Sequence, residues 1–195
     1  MDNATQEKLF AAAIPLFAKK GYAAVSIREI AKAADVNVSS ISYYFRGKEG
    51  LYHAIIESHV ATIAKAVLSA ESLSPEERLR NYAKAISEVH TKKPYVARFI
   101  QSELVNPTSA MDQILKKNIF SFYRFLNKAI QDGIDTGLFR SDVNVHHAAL
   151  SLAGILNFYF IAKPLFRDFL DTSVETDADY TEQAVTIYLE GIRRK

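Results

Sequence analysis

The chain has 195 residues, 49% of them hydrophobic, with a formal net charge of +2 at pH 7. That length suits one or two compact cores, and 12 Phe and 10 Tyr beside only 7 Gly and 5 Pro exclude the fibrous and disordered classes. With no cysteine there is no disulfide framework, thiolate zinc site or cysteine nucleophile, and a reducing cytoplasm is the compartment this suggests.

The positive excess lies in residues 1–50, which hold seven Lys/Arg against five Asp/Glu, while the remainder holds seventeen of each. This hints at an end that faces a polyanion, although a solvated helix surface carries two extra charges equally well. The run Leu9 to Ala18 is preceded by MDNATQEK, whose two acidic side chains outnumber its one lysine, and followed by Lys19 and Lys20, the wrong polarity for a signal peptide, so it reads as a buried helix. No other apolar run approaches the roughly 20 residues needed to cross a bilayer, so a soluble chain without membrane contact is expected.

The pattern is helical throughout and predicts an all-α fold of about nine helices. A first helix runs from Thr5 to Lys20 and closes at Gly21, with Pro15 predicting a bend or a loose first half. Ser26 and Glu29 form a capping box that starts a second helix, whose stripe is Ile27, Ile30, Ala31 and Ala34. Asp35 breaks it, and Asn37 caps a third helix over Val38 to Phe45. A longer helix follows from Lys48 to about Ala70, and another from Pro75, with Glu76 and Glu77 in its first turn, to Lys92. Pro94 and Pro107 mark boundaries. Further helices are predicted from Ser109 to Ile134, stopped by Gly137, from Val145 to Ile161, and from Asp177 to Arg194.

Two short helices joined by a tight turn, the second presenting Ser39, Ser40, Ser42, Tyr43 and Tyr44 outward, make a helix-turn-helix arrangement. Hydroxyls and phenols bond phosphates and base edges, and Val38 can touch a thymine methyl. Lys48 adds a charge beside free amides at a helix start, and Ile41 and Phe45 supply the inner face. From the residues alone Tyr44 packs equally well beside Phe45, and Ser39 equally well solvates the first turn.

GYAAVSIREIAKAADVNVSSISYYFRGKEGLY resembles the N-terminal DNA-binding module of TetR-type transcriptional regulators. The likeness covers most of residues 5–55 and includes Phe17, Gly21, Ser26, Ile30, Ala31, Val36, Phe45, Lys48 and Leu51. It implies that Ser26 contacts phosphate, that Arg28 contacts base or phosphate, that Val38 to Tyr44 form the reading edge, and that Lys48 clamps phosphate. Asp35 stands where the family usually turns on Gly, and Ser42 where Tyr is commonest; the first tolerates the left-handed turn, and the second shifts phosphate contact onto Tyr43.

A DNA-binding domain is thus expected over residues 1–50 and a ligand-sensing, dimer-forming body over 51–195. The resemblance implies a cytoplasmic homodimeric repressor, bound to double-stranded operator DNA, released by a small hydrophobic or amphipathic effector and needing no cofactor. Pocket candidates are His90, Arg98, Phe99, Glu103, Phe122, Tyr123, Asn157 and Phe158, aromatic or polar residues on the middle helices. Interface candidates are Ala149, Leu152, Ala153 and Leu156 on one helix and Tyr180, Ala184, Ile187, Tyr188 and Gly191 on the last, although such stripes also serve a chain's own core.

Catalysis is not indicated. His146 and His147 are adjacent and point roughly 100° apart on a helix, and neither a G-x-S-x-G elbow, a phosphate-binding glycine loop nor H-E-x-x-H is present. The alternative is a helical protein-binding adaptor without DNA or ligand function, distinguished by having no salt-sensitive binding to duplex DNA.

Overall fold

The computed structural model describes residues 3–105, 111–166, 168–169 and 174–195, with the side chains of residues 3, 99, 104, 105, 111–119 and 174 outside that description. The predicted boundary at Pro107, the helix start at Ser109 and the side chains of Phe99, Ile114 and Ile119 therefore lie outside the described residues.

Among the described residues the chain forms nine α-helices: α1 Asn3–Ala24, α2 Ile27–Ala34, α3 Ser39–Phe45, α4 Lys48–Leu68, α5 Pro75–Lys92, α6 Pro94–Val105, α7 Met111–Asp135, α8 Val145–Ala162 and α9 Val174–Ile192. Pro15 stays inside α1, and the helical path breaks instead at Gly21, at φ 79° and ψ 161°. A side chain is strained in that conformation, so glycine sets the place of the break.

The chain divides into two compact units, one of residues 1–62 with 93–117, the other of residues 63–92 with 118–195. The boundary expected at residue 50 falls inside α4, and α6 packs on α1 within the first unit. The core of that unit comprises Leu9, Ala13, Phe17, Val25, Ile30, Ile41, Leu51, Tyr52, Ile55 and Ile56, all nearly inaccessible.

In the second unit α5 packs on α8 and α9 around Leu79, Tyr82, Phe125, Leu126, Ile130, Phe139, Leu152, Leu156, Val185 and Leu189. Gly137, at φ 75°, ends the turn after α7. The chain then lies against the C-terminus, with Arg140 N–H donating to Ile192 O at 2.9 Å and Arg194 N–H to Leu138 O at 3.0 Å. Arg78 is 4% exposed and meets Asp132 at 2.6 Å. Asp177, also buried, receives the Tyr159 hydroxyl at 2.9 Å and the Lys163 ammonium at 2.5 Å, the partnering a buried charge requires.

One sequence expectation is corrected in this unit. Val145–Leu165, 21 residues, is long and apolar enough to cross a membrane. Its inner face, through Ala149, Leu152 and Leu156, is part of the unit's own core.

Candidate nucleic-acid interface

The helix pair is built by local chemistry. The Ser26 hydroxyl accepts the Glu29 N–H at 3.2 Å and so caps α2. The Glu29 carboxylate takes Lys20 at 2.6 Å; Lys20, helped by the Ser26 amide, holds that carboxyl below its ordinary value. Asp35 ends α2 in the left-handed conformation, φ 52° and ψ 52°, as its substitution for glycine requires. Its N–H and that of Val36 return to the carbonyls of Lys32 and Ala31 at 3.3 and 3.1 Å, which closes the turn.

Asn37 Oδ1 accepts from the Ser39 N–H at 2.9 Å and from its hydroxyl at 2.7 Å, two residues before α3 begins. Ile41 is fully buried and Phe45 meets Phe10 of α1 with ring centroids 5.6 Å apart, so α3 has one fixed orientation. The opposite edge presents Val38, Ser39, Ser42 and Tyr43, with Tyr43 82% exposed. Ser40 is half-buried; so is Tyr44, whose ring lies 4.9 Å from Tyr43 and 6.3 Å from Phe45. Ser26 and Arg28 are exposed. An aromatic hydroxyl raised beside small hydroxyls suits polar, close-approach recognition of phosphates and base edges.

Lys48 does more than offer a charge to solvent. Its ammonium donates to the carbonyls of Tyr22 and Val25, both at 2.9 Å, and lies 4.3 Å from the centre of the Tyr22 ring. Two of its three N–H groups thus hold the α1–α2 connection to the start of α4, and one is left for an outside partner. Arg46 was missed by sequence reasoning: it closes α3 at φ 61° and is exposed beside the same edge. In the sequence it stands only as a basic residue between two helices.

The proposed pocket residues are dispersed. In the second unit His90 Nε2 meets Asn157 Oδ1 at 3.1 Å and stacks on Phe160 at 4.3 Å, and burial holds the imidazole below its ordinary pKa, opposed by Asn157 and by Asp177. The Tyr123 hydroxyl meets His146 Nδ1 at 2.8 Å, and Phe122 packs half-buried on the core. In the first unit Arg98 is exposed and the buried Glu103 accepts the Tyr52 hydroxyl. Phe158 is 66% exposed, on the outer face of α8. A groove of about 610 Å³ between α5 and α9, with Lys84, Ser87, Thr91, Asp179 and Thr181 along it, contains none of the predicted residues.

The interface candidates divide between core and surface. Ala149, Leu152, Leu156, Ala184 and Tyr188 are buried in the second unit's own core, where the Tyr188 hydroxyl donates to Ala148 O at 3.0 Å. In the single chain these five are covered by their own unit. Tyr180 is half-buried, its hydroxyl on Ile155 O, and Ala153 is half-buried; only Ile187 and Gly191 stand exposed. The outward apolar residues are instead Leu150, Ile155, Phe158 and Ile161 on α8, with Ile187 on α9.

Comparison with known proteins agrees with this geometry. Residues 9–55 match the family model described as bacterial regulatory proteins, tetR family, and residues 75–187 match the tetracyclin repressor-like C-terminal domain. The chain is 34% identical over 134 residues to the probable HTH-type transcriptional regulator YttP of Bacillus subtilis (strain 168), a match spanning 67% of this chain and 62% of that protein. It is 27% identical over 197 residues to the HTH-type transcriptional repressor NicS of Pseudomonas putida, covering 97% of this chain and 93% of NicS. Among solved structures, the transcriptional regulator FadR from Bacillus subtilis in complex with stearoyl-CoA superimposes with a TM-score of 0.79 at 17% identity, over 96% of this chain and 99% of that one. With both of its units matched, the chain belongs to the tetR family of bacterial transcriptional regulators.

Proposed function

We propose that this regulator is a cytoplasmic homodimeric repressor that reads duplex operator DNA with the exposed edge of α3 and is released by a small hydrophobic or amphipathic ligand held in its helical body. The observation that carries the DNA reading is the projection of Tyr43, 82% exposed, from a helix whose other face is locked by the buried Ile41. Around it stand Ser39, Ser42, Val38 and the cations Arg28 and Arg46, all exposed, with Ser26 at the head of α2. Repression is supported by the similarity to the transcriptional repressor NicS, and the ligand class by the stearoyl-CoA in the FadR structure.

The dimer is assigned to the outward face of α8, where Leu150, Gly154, Phe158 and Ile161 recur at i, i+4, i+8 and i+11, together with Ile187 of α9. Two joined reading helices then meet half-sites about one helical turn apart.

The test is binding to the DNA flanking the protein's own gene, measured against salt concentration. The expected result is nanomolar-range affinity that falls steeply with salt and exceeds that for unrelated duplex by about 10³-fold or more. Equal, salt-insensitive or absent binding would refute the reading and favour a helical adaptor.

A further inference from the structure

Because α6 follows the helix pair by some fifty residues yet belongs to the same compact unit, what joins it to that pair matters. We infer that Glu103 of α6 is a positioning residue for the DNA-reading helices, acting through a chain of contacts from Tyr52 to Tyr22 to Lys48 and so to the start of α2. This rests on the DNA-reading function proposed above.

The first contact is the hydrogen bond from the Tyr52 hydroxyl to the Glu103 carboxylate, with the two residues 2% and 3% exposed. Both residues are buried, so withdrawing α6 costs this hydrogen bond in a place where water does not readily replace it. Burial, reinforced by Glu103, raises the phenol's pKa, so Tyr52 stays a proton donor across the physiological range.

The second contact is aromatic. The Tyr52 ring lies edge-on to Phe17 at 4.9 Å and tilted on Tyr22 at 4.6 Å, a fixed geometry on two sides. Tyr22 in turn faces the Lys48 ammonium at 4.3 Å, and that ammonium grips the carbonyls of Tyr22 and Val25. Val25 is the residue before Ser26, the cap of α2. A change in the angle of Tyr52 therefore reaches the α1–α2 bend through packed rings and two hydrogen bonds, not through flexible chain. A second tie runs in parallel, with Lys19 of α1 placed 5.4 Å from the ring of Tyr95 on α6. Displacement of α6 is thereby converted into a displacement of α2, and with it of α3.

The experiment uses the full chain with Glu103→Gln, Tyr52→Phe, Lys48→Met and the Glu103→Gln/Lys48→Met pair. Amide hydrogen exchange is read at Glu29 and Ile30 in the first turn of α2, and affinity for a duplex is read in parallel. Tyr52→Phe, which removes the donor, should speed exchange at Glu29 and Ile30 about 5- to 10-fold, the size of one lost buried hydrogen bond, and Glu103→Gln, whose amide oxygen still accepts but without the charge, should speed it about 2- to 5-fold. In the double variant the rise should fall short of the product of the singles by about 3-fold or more, since Glu103 and Lys48 act on one element although they do not touch. Duplex affinity should fall with the exchange.

Faster exchange confined to α4 and α6, or single effects that simply multiply, would overturn the chain of contacts. Coupled exchange with unchanged duplex affinity would overturn the positioning role in DNA reading. A wild-type protein without duplex affinity would sink the functional reading alone, and the link from α6 to α2 would still be decided by exchange. Should Glu103→Gln fail to fold, Tyr52→Phe, paired with Lys48→Met, carries the same test.

Discussion

Phe158→Ala separates the two faces of α8. The side chain is 66% exposed in the single chain, so about two thirds of its surface is available to a partner. Complete burial of a Phe side chain is worth about 1.5–3 kcal/mol, which leaves about 1–2 kcal/mol per protomer and, by two-fold symmetry, about 2–4 kcal/mol per dimer. At about 1.4 kcal/mol per factor of ten, the dimer dissociation constant should rise about 30- to 1000-fold. The folded monomer loses almost nothing, because this side chain contributes little to its own core. Sedimentation over a range of concentrations reads the dissociation constant, and thermal unfolding at low concentration reads the monomer. Ala184→Glu is the contrast: at 7% exposure the new carboxylate enters the core of the second unit, so the fold itself should fail. A wild-type dissociation constant for Phe158→Ala would refute the outward face as the seam.

Three further outcomes follow from particular geometries. Asp35→Gly should raise the melting temperature by relieving a left-handed residue at φ 52°, a gain of up to about 1 kcal/mol, whereas Asp35→Val should lower it; differential scanning calorimetry decides. In Gly133→Ala the added carbon would stand 2.1 Å from the buried ring of Phe139, and overpacking of about 1–3 kcal/mol should outweigh a helix-propensity gain of about 1 kcal/mol. Denaturant unfolding should show a loss that Phe139→Leu partly restores. Arg78 holds the Asp132 carboxyl below its ordinary value, so this pair's contribution is full above the unfolded value of about 4 and is lost as pH falls through the lower folded value. The stability difference between wild type and Asp132→Asn should thus be constant above about pH 5 and shrink below about pH 4 in denaturant titrations.

The helix pair was legible in the sequence because its determinants are local. Ser26 and Glu29 are three residues apart, Asp35 needs only its own backbone conformation, and Gly21 marks a break that no neighbouring side chain has to specify. The partners of Lys48 were not legible, since Tyr22 and Val25 lie 26 and 23 residues away and the sequence shows a lysine only as a charge. The same holds for Glu103, which looks like a stray polar group on a middle helix until Tyr52, 51 residues earlier, is seen to meet it.

The ambiguity of α8 in the sequence has a single physical cause. Periodicity identifies a helix face by contrast between apolar and polar stripes, and α8 offers none: Ala149, Leu152 and Leu156 turn inward while Leu150, Phe158 and Ile161 turn outward. A helix that is apolar on both sides satisfies a core, an intermolecular seam and the length test for a membrane span at once, and only three-dimensional packing separates those uses. The small residues that suggested close approach of a second chain, Ala149 and Ala184, instead let helices of the same unit come together. The large residue expected in the pocket, Phe158, is 66% exposed in the single chain. Where a helix carries two apolar faces, the inner one is identified by the hydrogen bonds that cross it. Here the Tyr188 hydroxyl on Ala148 O fixes which side of α8 faces α9, and that leaves Leu150 and Phe158 for the outside.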